Sequence, residues 1–273
     1  REMSGGKPLR QRPAVVALAL SFLLAGAMLA SLLAGSTAVR VADILQAMLA
    51  GGDSSTPTWA IVWRIRLPRA LLAAAVGASL SLGGLVLQAR LRNALAEPYI
   101  LGISGGAALG AVAAMFAGLA MFPGVALVSF LSSLLVMALV LLLAGGRATS
   151  RSESLLLAGV MLNAFCSACI MFLLSLSQSS QVHHILFWLM GDLSMAEPGQ
   201  LWLFPPLFAC FFLILLHARP MNLLLTGEES AAALGLHVRR VTWILLGVTS
   251  LMVSLVVSQA GLVGFVGLVV PHF

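Results

Sequence analysis

Apolar runs of eighteen residues or more recur along this chain, and each is long enough to cross the hydrocarbon core of a bilayer. An α-helix rises 1.5 Å per residue, so about twenty apolar residues span the core's thickness of about 30 Å. A soluble helix shows a polar face every three or four residues; most of these runs are apolar all round. Of 273 residues, 60% are hydrophobic and 9% are Asp, Glu, Lys or Arg, against about 25% charged in a soluble domain. There is too little charge to coat a water-facing surface. The expected fold is all-α, a polytopic transmembrane helix bundle forming a single domain over residues 1–273.

The first run, about Ala14 to Ala34, follows Arg1, Lys7, Arg10 and Arg12 and exceeds a signal-peptide core in length, which predicts a retained span. The stretch Gly35 to Arg69 holds Arg40, Asp43, Asp53 and Pro57 and is too polar for lipid. Further spans are predicted over about Ala70–Leu87, Leu101–Phe122, Val125–Ala144, Leu155–Leu176, Leu201–His217 and Val241–Ala260, with an eighth starting near Leu262. A cytoplasmic N-terminus puts eleven of the fifteen basic residues inside, including Arg90, Arg92, Arg147, Arg151, Arg219, Arg239 and Arg240. The positive-inside rule therefore predicts that orientation, and the net charge of +6 reflects topology, with no nucleic-acid partner implied.

Arg64, Arg66 and Arg69 break the rule by clustering outside, ahead of the second span. They serve either as headgroup anchors or as a docking patch for an acidic soluble partner, because arginine pairs bidentately with carboxylates. Gly77, Ser81, Gly83 and Gly84, then Gly102, Gly105, Gly106 and Gly110, mark spans packed within the bundle, where small residues let backbones approach closely. Cys166 and Cys169 form a CxxC inside an apolar run with no second pair beside it, and read as packing residues. No span carries a buried acid or lysine of the kind that relays protons or senses sodium, no polar catalytic cluster lies within a span, and no GxxxxGK[ST] phosphate loop is present. A secondary transporter or channel and a membrane-embedded enzyme are the weaker readings. Energy is expected from a partner.

Between the sixth and seventh spans lies Thr226-Gly-Glu-Glu-Ser-Ala-Ala-Ala-Leu-Gly-Leu-His237. Thr226 with Glu229 three residues on has capping-box spacing, and Gly235 suits a left-handed stop. A two-turn amphipathic helix on the cytoplasmic surface is predicted within Thr226–His237, with a small Ala-rich face able to enter a groove; a plain connector without a helix is the other reading.

This segment resembles the Glu-Ala-Ala…Gly coupling loop of ABC importer permeases. More specific phrases are Arg66-Leu-Pro-Arg69, Gln88 with Arg92-Asn-Ala-Leu-Ala-Glu-Pro98, and Leu101-Gly-Ile-Ser-Gly-Gly-Ala107. Leu155-Leu-Leu-Ala-Gly159, Trp188-Leu-Met-Gly191 and Gly264-Phe-Val-Gly-Leu-Val-Val-Pro-His272 follow. In this order, from about Arg64 onward, they resemble the permeases for iron chelates, heme and cobalamin, the FecCD/cobalamin-permease family of type II importers. The resemblance implies a ten-helix subunit, about eight helices of which fall in this chain, pairing with a second copy of itself. It further implies two cytoplasmic nucleotide-binding ATPase subunits, which use ATP and Mg²⁺, and a periplasmic or lipid-anchored binding protein. No cofactor is expected in this chain itself, which is not expected to be an enzyme.

By the same resemblance Arg66 and Arg69 meet acids of the binding protein, and Glu228, Glu229, Ala231, Gly235 and Leu236 couple to the ATPase. The fifth span lines the pathway, with Asn163, Ser167 and Met171 as candidates. Two departures stand out: the usual Asn-Pro-Leu-Ala-Asp-Pro reads Asn93-Ala-Leu-Ala-Glu97-Pro98, and the family continues beyond Pro271-His272, which predicts a truncated or partly covered chain. His183 and His184, outside, are candidates to touch heme iron, although solvated loop histidines are the favoured account. The cargo expected is a ferric siderophore or heme, with cobalamin close behind.

Overall fold

The computed structural model describes residues 13–35, 57–144, 152–194 and 196–272. Arg1, Lys7, Arg10, Arg12, Arg40, Asp43, Asp53, Arg147 and Arg151 lie outside them. All regular structure among the described residues is helical, and six helices are long and apolar enough to cross a membrane. The chain divides into two compact units, which meet in sequence at Leu71 and Leu72.

The first unit holds α1 (Pro13–Leu33) and the opening of α2 (Ile61–Leu91), led in by the turn Pro57–Ala60. Proline suits a first helical turn, where its missing N–H is not needed. Leu32 and Val62 form a small core with Trp63 and Leu67 packed on it. The second span thus begins well before the predicted Ala70, and Arg64, Arg66 and Arg69 ride on the helix itself. Long arginine stems can lie along apolar surface while their heads seek polar partners, so the charges that suggested a loop do not end the helix.

The second unit contains α3 (Ile103–Phe116), α4 (Ala126–Leu143), α5 (Ser152–Leu176), α6 (Ser179–Met190) and α7 (Phe204–Leu216). Next come two short helices, α8 (Ala218–Leu225) and α9 (Glu228–Ala233), then α10 (Val238–Ala260) and the single turn α11 (Val266–Val269). The closest pairing is α3 on α4, followed by α3 on α5, while α10 packs on α4, α7 and α3. Of the long spans α10 is the most enclosed. It carries buried Thr249, Ser250, Ser254 and Ser258, and the Ser250 hydroxyl donates to the Leu246 carbonyl at 2.6 Å. Such bonding back to the helix's own carbonyls is how a hydroxyl is carried into hydrocarbon.

The third predicted span is shorter than its apolar run. With 14 residues α3 is about 21 Å long and cannot cross the core alone. The chain enters it through a stretch from Arg92 to Gly102 whose regular part is one 3₁₀ turn, Pro98–Leu101, and an irregular stretch from Gly261 to Phe265 precedes α11. Side chains pair the exposed backbone of both. The Glu97 carboxylate accepts from the Phe265 N–H at 3.0 Å, and the Tyr99 hydroxyl accepts from the Val263 N–H at 3.0 Å. The Gln88 amide donates to the Gly267 and Leu268 carbonyls, both at 3.3 Å.

Close backbone approach completes this junction. A methyl placed on Gly84 would overlap the Gly267 carbonyl, whereas one on Gly77 would meet nothing within 4 Å. Inserting carbon into a filled contact costs about 1–3 kcal/mol or more. Gly84→Val is therefore expected to lower the detergent-solubilised protein's unfolding temperature by several degrees and to broaden its size-exclusion peak. Gly77→Ala, on the same helix, should leave both unchanged; equal behaviour of the two variants would contradict the contact.

Candidate functional site

One end of the second unit gathers the segment the sequence singled out. Leu91 at the end of α2, Arg92 and Asn93 after it, Glu153 and Leu156 of α5, and Thr226 to Ser230 line an open groove of about 1180 Å³. Arg92 has φ of 48° and its guanidinium stands against Gly227. Asn93 Oδ1 accepts from the Leu95 N–H at 2.9 Å, a turn that asparagine makes readily, and Leu95 is left exposed.

The helix at this end, α9, differs from the predicted one in how it starts. Gly227, at φ 115°, precedes it and no side chain caps it. The Thr226 hydroxyl instead donates to the Leu223 carbonyl at 2.8 Å, finishing α8. The capping box fails because α8 runs to Leu225, which leaves Thr226 as its last-turn neighbour. The predicted stop holds: Gly235 has φ of 84°, its N–H bonds the Ala232 carbonyl, and the Leu236 N–H bonds the Ala231 carbonyl. That paired 5→2 and 6→1 pattern closes a helix when glycine takes the left-handed position.

The five coupling candidates separate into two sets. Ala231 is fully buried, Leu236 packs against the core, and Glu228 pairs inward with Arg90. Glu229 and Gly235 face outward, together with Ser230 and Leu234, the last 68% exposed. An outer face of α9 is thus held on an inner, anchored one.

Along α5 an exposed stripe runs through Leu157, Met161, Ala164, Ser167, Met171 and Phe172. Ser167 and Met171 lie on it. Asn163 does not: it is half-buried and its amide donates to the Tyr99 carbonyl at 3.3 Å, pairing the backbone that leads into α3. The stripe from Leu157 to Leu176 carries no charged residue. His183 and His184 are exposed on α6, where the His183 ring meets Phe187 edge-on at 4.7 Å between centroids.

The arginine cluster also divides. Arg66 is only 8% exposed, and its guanidinium donates to the Leu32 carbonyl at 2.6 Å and the Leu33 carbonyl at 3.2 Å. It satisfies two of the carbonyls that the end of α1 leaves without helical partners. Arg66 is therefore a closing group of the first unit, and its assignment to a docking surface is revised. Arg64 is exposed and Arg69 half-buried.

Sequence reasoning missed Arg90, Glu97 and Tyr99. Arg90 had been counted only as an inside charge, though an arginine placed before the last residue of an apolar span is itself a signal. Glu97 reads from the sequence only as a departure from the family's phrase; its carboxylate reaches across to Phe265, residues 168 apart in sequence. Nothing local in the sequence could have indicated that.

The comparisons agree with this architecture. Residues 23–273 match the FecCD transport family. The vitamin B12 import system permease protein BtuC of Escherichia coli (strain K12 / DH10B) is 39% identical over 257 residues, covering 93% of this chain and 76% of its own. The same protein of Shigella boydii serotype 18 matches to the same degree. A solved structure described as an inward-facing conformation of a metal-chelate type ABC transporter superposes with a TM-score of 0.83 at 30% identity, covering 95% of this chain and 80% of that one. The multi-pass helical fold, the junctions between broken helices and these likenesses agree on one identity: this chain belongs to the FecCD transport family and is a permease subunit of an ABC importer.

Proposed function

We propose that this permease carries a corrinoid, and that its closest functional alternative is a metal chelate. The observation that carries the proposal is the 39% identity spread over 93% of the chain with a vitamin B12 import permease. The chelate reading is supported by the structural likeness to a metal-chelate type transporter. An uncharged stripe along α5 suits either cargo, since a large ligand whose metal is already enclosed needs a smooth wall more than fixed charges. Against the sequence-based preference for siderophore or heme, cobalamin moves to first place.

In this reading two copies of the chain face each other through the α5 stripes, with Ser167 and Met171 on the pathway and Asn163 holding the wall in shape. The N-terminus is cytoplasmic, following the distribution of Lys and Arg. The outer face of α9, with Glu229, Leu234 and Gly235, enters a cleft of each of two ATPase subunits, which bind ATP and Mg²⁺. Arg64 and Arg69 receive acidic side chains of a substrate-binding protein.

The cargo is tested by uptake of radiolabelled cobalamin, a ferric siderophore and heme into proteoliposomes holding the full-length permease, its ATPase and its binding protein. Cobalamin uptake is expected; uptake of heme or the siderophore with none of cobalamin would contradict the corrinoid assignment.

Two surface predictions accompany it. Glu229→Arg with Leu234→Asp should reduce co-purification of the ATPase by about tenfold, because reversed and newly buried charges at an interface are strongly disfavoured. A wild-type yield of complex would remove α9 from that interface. Arg64→Glu with Arg69→Glu should weaken binding-protein affinity about tenfold at low salt, and the difference should fade near 1 M salt, where charges are screened over about 3 Å. Equal affinities at low salt would exclude the pair from docking.

A further inference from the structure

Arg90 has no part in the reading so far, yet it makes the ion pair that links α9 to a part of the chain remote in sequence. Its Nη1 donates to Glu228 Oε1 at 2.7 Å. The arginine side chain is 2% exposed and the glutamate's 28%, so the pair sits mostly out of water with its acidic end toward the groove. Apart from this pair, α9 packs chiefly against its sequence neighbours, α8 and α10.

The other end of the link is as informative. Two residues before Arg90, Gln88 donates to the carbonyls of Gly267 and Leu268, and Gly84 lies in backbone contact with Gly267. The last two turns of α2 are therefore fixed to α11 on one side and to α9 on the other. A route of named contacts runs from the exposed face of α9 through Glu228 and Arg90 into α2, and from Gln88 into α11.

These contacts differ in how they respond to displacement. Ala231 and Leu236 make apolar contacts, which are non-directional and tolerate small slides. The Arg90–Glu228 bond is directional and charge-assisted. Separating it would take a charge-assisted bond away from a pair that sits mostly out of water. A pull or push on α9 is thus resisted at Glu228 more than at its apolar neighbours, and is passed to α2.

We propose that the Arg90–Glu228 pair is the joint that transmits movement of α9 to the inner end of α2. This inference rests on the reading of α9 as the coupling element. Arg90 is a positioning residue here: it is buried beneath the surface that an ATPase would touch, and it acts through Glu228 and α2.

The test uses the full-length permease with its ATPase and binding protein in proteoliposomes. It measures cargo taken up per ATP hydrolysed, with whichever of radiolabelled cobalamin, ferric siderophore or heme the wild type carries. Arg90→Gln is expected to retain the ATPase at wild-type stoichiometry while uptake per ATP falls at least tenfold; Arg90→Lys, which keeps the charge, should recover a large part. The exchange Arg90→Glu with Glu228→Arg should exceed Arg90→Gln alone, and an exchange no better than the single variant would overturn the joint. Should Arg90→Gln not give a monodisperse complex, Glu228→Gln replaces it with the same expectation. Uptake per ATP within twofold of wild type in the neutral variant would also overturn the proposal. Glu229→Arg keeps the two readings apart. If it impairs uptake and the neutral pair variant does not, only the joint fails; if neither does, α9 is not the coupling element.

Discussion

Every backbone N–H and C=O within hydrocarbon must find a partner inside the protein, because no water is there to take its place. Unbroken helices meet that demand alone, and broken ones do not. Among the described residues, irregular backbone precedes both α3 and α11, and side chains supply partners there: Glu97, Tyr99, Gln88 and Asn163. Two of these, Glu97 and Tyr99, join the two breaks to one another, so irregular backbone is kept as a shared, internally bonded junction. The close approach of Gly84 to Gly267 lets α2 pass near enough for Gln88 to reach.

That junction explains the division of labour in the rest of the unit. α10 and α3 are enclosed and tightly packed, as a fixed frame needs to be, while α5 and α9 turn broad faces outward. Small residues and hydroxyls that bond their own helix hold the frame together, since apolar surface gains little by leaving a lipid environment that is itself apolar. A permease must move its pathway walls without opening its backbone to lipid. A rigid junction with exposed elements attached at few points meets both conditions, and Arg90 is one such point of attachment.

Much of this was legible in the sequence. Apolar run length gave the helical spans, because hydrocarbon thickness dictates it, and Gly235 announced the end of α9 through its need for a positive φ. The phrases behind the family resemblance turn out to be contact points: Gly159 lies against Ile100 and Leu101, Gly191 against Leu262, and Gly261 against Trp188. The errors share a physical cause. Charge was taken to end a span at Arg69, yet Arg66 found carbonyl partners on α1 and the helix continued. Apolarity was taken to fill a span after Leu101, yet the turn at Gly118 ends α3 early. Asn163, which the resemblance places on the pathway, has its amide on the Tyr99 carbonyl. In each case a tertiary hydrogen bond or turn, invisible to local composition, decided the outcome.

The central proposal is that these helices do not energise transport by themselves and are driven by an ATPase docked at α9. The direct measurement is cargo accumulation in liposomes holding the full-length permease and its binding protein, under imposed proton and sodium gradients, with and without the ATPase and ATP. Accumulation above the external concentration only when ATPase and ATP are both present is the predicted result. Accumulation driven by either ion gradient in the absence of the ATPase would contradict it.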